Sequence, residues 1–251
     1  MVLEIVDYLQ GAFSLIFVII SLIIGFSILS KYPKFKSRLY LLVGIAWIGV
    51  ANPWFPDSIS FVMNLIWYQN LNIYWYFIIG NCFIPFALLA WLIAFTDMIW
   101  KKRQKLVVSL TIILSIAFEI AFFYLLFTNP DAIGVIGARP FTVDFGEFIL
   151  VYLVIVIIVM FSTGIIFAQK SVKSDNKEIR VKGKLLRAAF IMFTIAAVLD
   201  SMLGTIFADP NDPLLAIMVV VVRILLIISA IEFYGGFLLP KWMHSIFIRD
   251  K

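Results

Sequence analysis

Five ionisable residues lie inside stretches of the chain that are otherwise almost entirely apolar: Asp97, Glu119, Asp200, Arg223 and Glu232. A charged group in the hydrocarbon core of a membrane is costly, and it usually faces a protein interior or a water-filled cavity. These five residues are therefore the first candidates for binding or proton chemistry in this chain.

Three of the five residues are matched in depth with Asn81. Asp200 and Glu119 each lie eight residues before the end of an apolar stretch, which is about 12 Å at the rise of an α-helix. Arg223 and Asn81 lie nine and seven residues after the start of theirs, about 14 and 10 Å. The sequence therefore predicts one polar layer built from four helices.

Two interpretations of this layer remain open. In the first, Asp200 and Arg223 form a structural ion pair and Glu119 is protonated, so that removing Asp200 harms folding more than removing Arg223. In the second, the layer is the floor of a pocket open to the outside, because two acids and one arginine leave a proton or cation unassigned. Small residues recur from Thr194 to Ala208 and predict close helix packing around Asp200.

Asp97 and Glu232 are predicted to belong to a different region. Asp97 precedes the basic run that starts at Lys101, and Glu232 lies about half a helical turn out of phase with Arg223. We expect both carboxylates to pair with lysine or arginine residues of the cytoplasmic loops.

The elements that must position these residues are seven apolar stretches, which we number spans 1 to 7. They cover residues 9–30, 39–56, 74–100, 106–127, 145–167, 185–208 and 214–239. Each approaches or exceeds the ~20 residues that cross a bilayer as a helix. Because backbone groups in lipid must be satisfied within the segment, the sequence predicts an all-α bundle of seven transmembrane helices.

Composition supports a single membrane domain over residues 1–251. The chain is 63% hydrophobic and only 14% charged, a balance that no soluble domain has. Its net charge of +5 arises from loops next to the spans, which indicates contact with the lipid bilayer and not with nucleic acid. Nothing in the sequence predicts an oligomeric state.

The same charges predict the orientation. Eighteen of the 20 lysine and arginine residues fall in the loops 1–2, 3–4 and 5–6 or in the C-terminal tail. By the positive-inside rule these segments are cytoplasmic. We therefore predict a multi-pass protein of the cell membrane with its N-terminus outside and its C-terminus inside. On the outer side only Arg139 is basic.

The segment after Pro53 allows two structures. Asp57 could cap a short helix that lies in the membrane interface, with Ile59, Val62 and Ile66 on its apolar face. Alternatively Pro53 only kinks span 2, which then runs further. The sequence favours the interfacial helix.

Several kinds of chemistry are not supported. One cysteine, Cys82, and one histidine, His244, cannot assemble a zinc site or an intrachain disulfide. No nucleophile–base pair is recognisable, so we predict no catalytic residues, no metal and no enzymatic activity. Microbial rhodopsins carry retinal on a lysine of their seventh helix, whereas residues 214–239 contain none. We therefore expect no cofactor.

The chain resembles the seven-helix membrane sensor regions at the N-termini of many prokaryotic histidine kinases. The resemblance covers nearly the whole chain and rests on topology, short outer loops, the run Lys182-Gly183-Lys184 and the segment 236–242. In that family the last helix leads to a kinase, whereas this chain ends at Lys251. The resemblance implies a sensor whose output comes from a partner.

Two functions follow as hypotheses. The first is a stand-alone receptor or sensor-like membrane protein with an outer polar pocket and a basic cytoplasmic face that binds a signalling partner. The second is a transporter of a small solute or ion that uses Glu119, Asp200 and Arg223 as its coupling site. The discriminating feature is access: a transporter needs a path from both sides, a receptor from the outside only.

Overall fold

The computed structural model describes residues 3–137, 140–207 and 212–248, and these form a helical bundle. Its helices are α1 (Ile5–Leu29), α2 (Tyr32–Phe35), α3 (Arg38–Val50), α4 (Phe55–Trp67), α5 (Ile73–Asn81), α6 (Ile84–Met98), α7 (Gln104–Thr128), α8 (Glu147–Val172), α9 (Lys177–Ile206), α10 (Pro213–Leu238) and α11 (Lys241–Phe247). Within these described ranges seven helical segments are long and apolar enough to cross a membrane, which confirms the predicted class of multi-pass helical bundle.

The spans correspond to these helices with two composite members. Span 1 is α1, span 2 is α3 with α4, span 3 is α5 with α6, and spans 4 to 7 are α7 to α10. Spans 5 and 6 extend beyond the apolar stretches, to Val172 and from Lys177. The end of the predicted span 6, at Ala208, lies outside the described residues.

Span 2 does not end at residue 56. A short turn, Asn52–Trp54, follows α3, and α4 then continues to Trp67 and packs against α1. The favoured interfacial helix is therefore wrong, and the kinked alternative is the one that forms. The physical reason is that α4 carries a polar face: Asp57, Ser60 and Asn64 are buried in the bundle while Ile66 is exposed.

Among the described residues, spans 1, 2, 3, 5, 6 and 7 form a closed ring, and span 4 lies outside it. Neighbouring pairs around the ring are spans 1–2, 2–3, 3–5, 5–6, 6–7 and 7–1. Span 4 packs mainly along span 3, and its aromatic residues also contact span 5, where Phe118 stacks on Tyr152 at 3.6 Å between ring centroids. The ring leaves a central space that span 4 does not reach.

The two ends of the bundle differ in charge. We call the end that carries the basic loops 1–2, 3–4 and 5–6 the basic end, and the opposite end the acidic end. At the basic end Arg38 and Lys101 both contact Asp97, at 2.5 Å each, which confirms the pairing predicted for Asp97. The short helix α11 also lies here and buries Met243 against Gly235 of span 7.

A β-hairpin between spans 4 and 5 covers the acidic end. Strands β1 (Gly134–Ile136) and β2 (Val143–Phe145) pair antiparallel, with Gly134 opposite Phe145. A Cβ atom at Gly134 would lie 2.7 Å from the carbonyl oxygen of Asp144, and its φ of +158° also favours glycine. Arg139, which comes between the two strands in the sequence, lies outside the described residues.

Candidate ligand-binding cavity

A cluster of polar side chains lies inside the ring, where spans 2, 3, 6 and 7 meet. Nη1 of Arg223 donates to Oδ2 of Asp200 at 2.7 Å, and Nε1 of Trp54 donates to the same oxygen at 2.8 Å. On the other side of the guanidinium, Nη2 lies 3.6 Å from Oδ2 of Asp57. The hydroxyl of Tyr76 donates to Oδ1 of Asp57. The predicted pair of Asp200 and Arg223 is thus part of a larger network.

The bend in span 2 explains how Trp54 and Asp57 reach this network. Pro53 and Pro56 lack backbone donors and interrupt the helix between α3 and α4. The bend in span 2 packs against the break in span 3 between α5 and α6, where the side-chain amide of Asn52 donates to the carbonyl of Ile79. Beyond this contact α4 packs against α1 and α5, and its polar face points into the ring.

Asp57 is the site residue that the sequence analysis missed. The sequence favours Asp57 as the cap of a short helix in the membrane interface, but its side chain is buried beside Arg223. The signal that could have found it is the spacing of Asp57, Ser60 and Asn64, which is the i, i+3, i+7 pattern of one helical face. In a membrane helix such a polar face points inward.

The predicted polar layer does not form as a single site. Asn81 is buried, but its amide donates to the carbonyl of Phe77 in its own helix, at 3.0 Å. Glu119 lies outside the ring in the layer between spans 3, 4 and 5, beside Cys82 and Tyr152. The thiol of Cys82 is the polar group beside the Glu119 carboxylate. Neither Asn81 nor Glu119 contacts Asp200 or Arg223, because each side chain points in another direction around its helix axis.

Glu232 also departs from its expected pairing. Its side chain is half-buried in span 7, and among the described residues its buried Oε2 has no hydrogen-bond partner and no lysine or arginine forms an ion pair with it.

A cavity of about 600 Å³ lies next to the Asp57–Arg223–Asp200 network. Its walls are mainly apolar and aromatic, and Asp57, Asp200 and Arg223 all contribute to its lining. Thr194, Ala197 and Ser201 line it as well. These residues belong to the small-residue stripe that predicted close helix packing. Here their small side chains leave space, because span 6 faces the cavity at this level. Of the other residues in this stripe, Ala208 and the surroundings of Gly204 lie outside the described part of the structure.

Aromatic residues close the cavity toward the basic end. Trp47 stacks on Phe233 at 4.1 Å, Phe233 contacts Phe190 at 6.0 Å, and Phe190 contacts Trp91 at 5.3 Å. Trp91 in turn donates through Nε1 to the hydroxyl of Thr163 at 2.8 Å. We call the four rings of Trp47, Phe233, Phe190 and Trp91 the aromatic floor. It joins spans 2, 7, 6 and 3 and, through Thr163, span 5.

The hairpin covers the opposite end of the cavity. Phe141 and Thr142 line the cavity from above. The amide of Gln10 in span 1 donates to the carbonyl of Phe141 at 3.0 Å, and the Phe141 ring packs edge-on against Phe61 at 5.8 Å. The hairpin is therefore attached to spans 1 and 2 as well as to the spans that it connects.

The cavity also opens sideways, between spans 5 and 6. Apart from Asp144 on the hairpin, the described cavity-lining residues that are exposed at the bundle surface all lie on these two helices: Leu150, Val154, Val198, Ser201 and Met202. Nearer the basic end the helices are in contact, because Gly164 packs directly under the ring of Phe190. The two helices therefore separate toward the acidic end. We call this gap the side opening. Four of its five residues are apolar, as is typical of a helix surface that contacts lipid.

The fold and the site define a class of protein: a multi-pass membrane protein whose helices enclose an amphipathic cavity. Comparison with known proteins found no family model, no curated protein and no solved structure that matches the chain.

Proposed function

We propose that this protein is a seven-transmembrane receptor or sensor-like protein that binds a small amphipathic molecule in the central cavity. The observation that carries the proposal is the cavity, which combines apolar walls with one polar network and is closed by the aromatic floor. Its volume of about 600 Å³ falls within the range of ~300–1,000 Å³ typical of small-molecule sites. A polar network at one end gives such a ligand a fixed orientation.

Access to the cavity favours a receptor over a transporter. The cavity reaches the hairpin and the side opening, whereas the aromatic floor separates it from the basic end. Phe233 lies ten residues beyond Arg223 in span 7, about 15 Å at helical rise. A transporter would need a second conformation in which these four rings separate. The three residues of the alternative coupling site are also separated, since Asp200 and Arg223 line the cavity and Glu119 does not.

The proposal includes an orientation and a partner. The basic end is cytoplasmic by the positive-inside rule, so the hairpin and the N-terminus are outside the cell membrane and the C-terminus is inside. Exposed Lys101, Lys102 and Arg103 at the basic end present a surface for a cytoplasmic signalling partner. The resemblance to the sensor regions of histidine kinases supports this assignment.

Ligand binding can be tested with three dansyl sulfonamide probes of similar size, measured by energy transfer from tryptophan to the dansyl group in phosphatidylcholine nanodiscs. Their tails are ethyl-trimethylammonium, its neutral 3,3-dimethylbutyl isostere, and ethyl-sulfonate. We expect saturable binding of at least one probe. Replacing Ala197 by Phe fills the cavity beside Asp200 and should weaken that binding at least about tenfold, which corresponds to ~1.4 kcal/mol.

The matched control is Ile195→Phe, on the exposed face of the same span and outside the cavity. Thermal unfolding of both variants checks that each is folded. Binding that is unsaturable for all three probes, or equally tight in the Ala197→Phe and wild-type proteins, would contradict the proposed function.

Partner binding at the basic end is tested separately by pull-down from native membranes. A variant with Lys102 and Arg103 each replaced by Glu should lose the proteins that co-purify with the wild type, because the sign of that surface is reversed, and it leaves the Lys101–Asp97 ion pair intact. A control that replaces Lys170 and Lys173 by Arg keeps the charge of the basic end. Identical partner sets for the wild-type and charge-reversed proteins would count against a docking surface there.

A further inference from the structure

We infer that the ligand of the central cavity is an organic cation, a lipophilic amine or quaternary ammonium compound, whose charged group lies against Asp200. This inference rests on the proposed function, because it specifies the chemical class of the molecule that the cavity binds.

The side chains that line the cavity carry more negative than positive charge. Among the described residues that line the cavity, three carry carboxylates, Asp57, Asp144 and Asp200, and one, Arg223, carries a positive charge. Asp57 and Asp200 share that single guanidinium. A net negative charge beside a space walled by apolar groups is costly unless a cation or a proton compensates it.

A ligand in the cavity would meet the carboxylate of Asp200 more readily than the guanidinium of Arg223. The side chain of Asp200 is 19% exposed, whereas that of Arg223 is 3% exposed. Both hydrogen bonds to Asp200 go to Oδ2, so Oδ1 has no hydrogen-bond partner among the described residues. Asp57, by comparison, is 9% exposed and accepts from Tyr76. Asp144 is exposed on the hairpin at the mouth of the cavity, so among the helices of the ring the accessible charge on the wall is the carboxylate of Asp200.

The walls of the cavity beyond Asp200 are aromatic. Trp47, Phe193 and Phe233 line the space beyond Asp200, and their rings contact one another. Aromatic faces attract cations, more strongly where water is excluded. The side opening is bounded mainly by apolar residues, so a molecule that partitions into the bilayer can reach the site. A lipophilic cation satisfies the charge, the walls and the route together.

The test compares the three dansyl probes on the wild-type protein and on Asp200→Asn. We expect the trimethylammonium probe to bind at least about tenfold more tightly than the dimethylbutyl isostere, a difference of ~1.4 kcal/mol, and the sulfonate probe to bind most weakly. Asp200→Asn should remove most of the preference for the cation while leaving the affinity of the neutral isostere nearly unchanged.

Two further variants keep the outcome interpretable. Asp200→Glu retains the carboxylate and should restore the preference for the cation, which a purely structural role of Asp200 would not predict. Glu119→Gln removes a carboxylate outside the cavity and should leave all three affinities unchanged.

The outcomes separate this inference from the proposed function. Equal binding of the cationic and neutral probes, with both weakened by Ala197→Phe, would overturn the inference and leave the receptor proposal standing. Preference for the sulfonate probe would likewise overturn it and assign the ligand to Arg223. Absence of saturable binding for every probe would instead contradict the proposed function itself.

Discussion

Replacing both Asp57 and Asp200 by asparagine should destabilise the protein far more than the two single substitutions predict together. Each single substitution leaves Arg223 with one carboxylate, so we expect a loss of about 1 kcal/mol, the size of one net hydrogen bond. The double substitution leaves a buried guanidinium without a counter-charge. Removing the partner of a buried ion costs about 3–5 kcal/mol, and arginine cannot neutralise itself by losing its proton.

Thermal unfolding in nanodiscs measures this coupling. Adding Arg223→Gln to the double variant should recover much of the lost stability, because the unpaired cation is then gone. Glu119→Gln serves as a control for a carboxylate-to-amide change outside the network. Losses that add within about 0.5 kcal/mol would show that the three residues are not coupled. Asp57 also changes an expectation from the sequence: with a second carboxylate beside Arg223, loss of Asp200 alone becomes tolerable.

Narrowing the side opening should slow ligand association without changing the final affinity. Val154 is 52% exposed and also lines the cavity, so a phenylalanine there projects into the gap between spans 5 and 6. We expect both the association and the dissociation rate to fall about tenfold, within the range of one to three decades that variants of one site cover. Their ratio should stay constant, because residue 154 lies at the route and not at the Asp200 network.

Stopped-flow measurement of tryptophan-to-dansyl energy transfer gives both rates, with whichever probe binds the wild-type protein. Ile158→Phe is the matched control, since Ile158 is exposed one turn further along span 5 and does not line the cavity. If Val154→Phe and wild-type protein associate at the same rate, the ligand does not pass between spans 5 and 6. The hairpin at the acidic end would then be the remaining described boundary at which access could occur.

The sequence alone is enough to predict the class of fold and the contact between Asp200 and Arg223. Seven apolar stretches require seven helices, because the membrane offers no other partner for the backbone. The constant rise of a helix then converts sequence separation into depth, which is why counting residues along the chain matches Asp200 with Arg223. The pairing of Asp97 with basic residues follows in the same way, from its position beside Lys101.

Only the tertiary structure decided which residues share a site. Residues at one depth can point in any direction around their helices, and that direction is set by packing between spans that are distant in sequence. Glu119 thus lies outside the ring and Asp57 inside it, because span 4 is peripheral and the bend at Pro53 turns the polar face of α4 inward. The aromatic floor, the hairpin and the side opening likewise depend on which helices are neighbours. Hydropathy and charge along the chain determine how deep each residue lies, but contacts between the spans determine what it meets there.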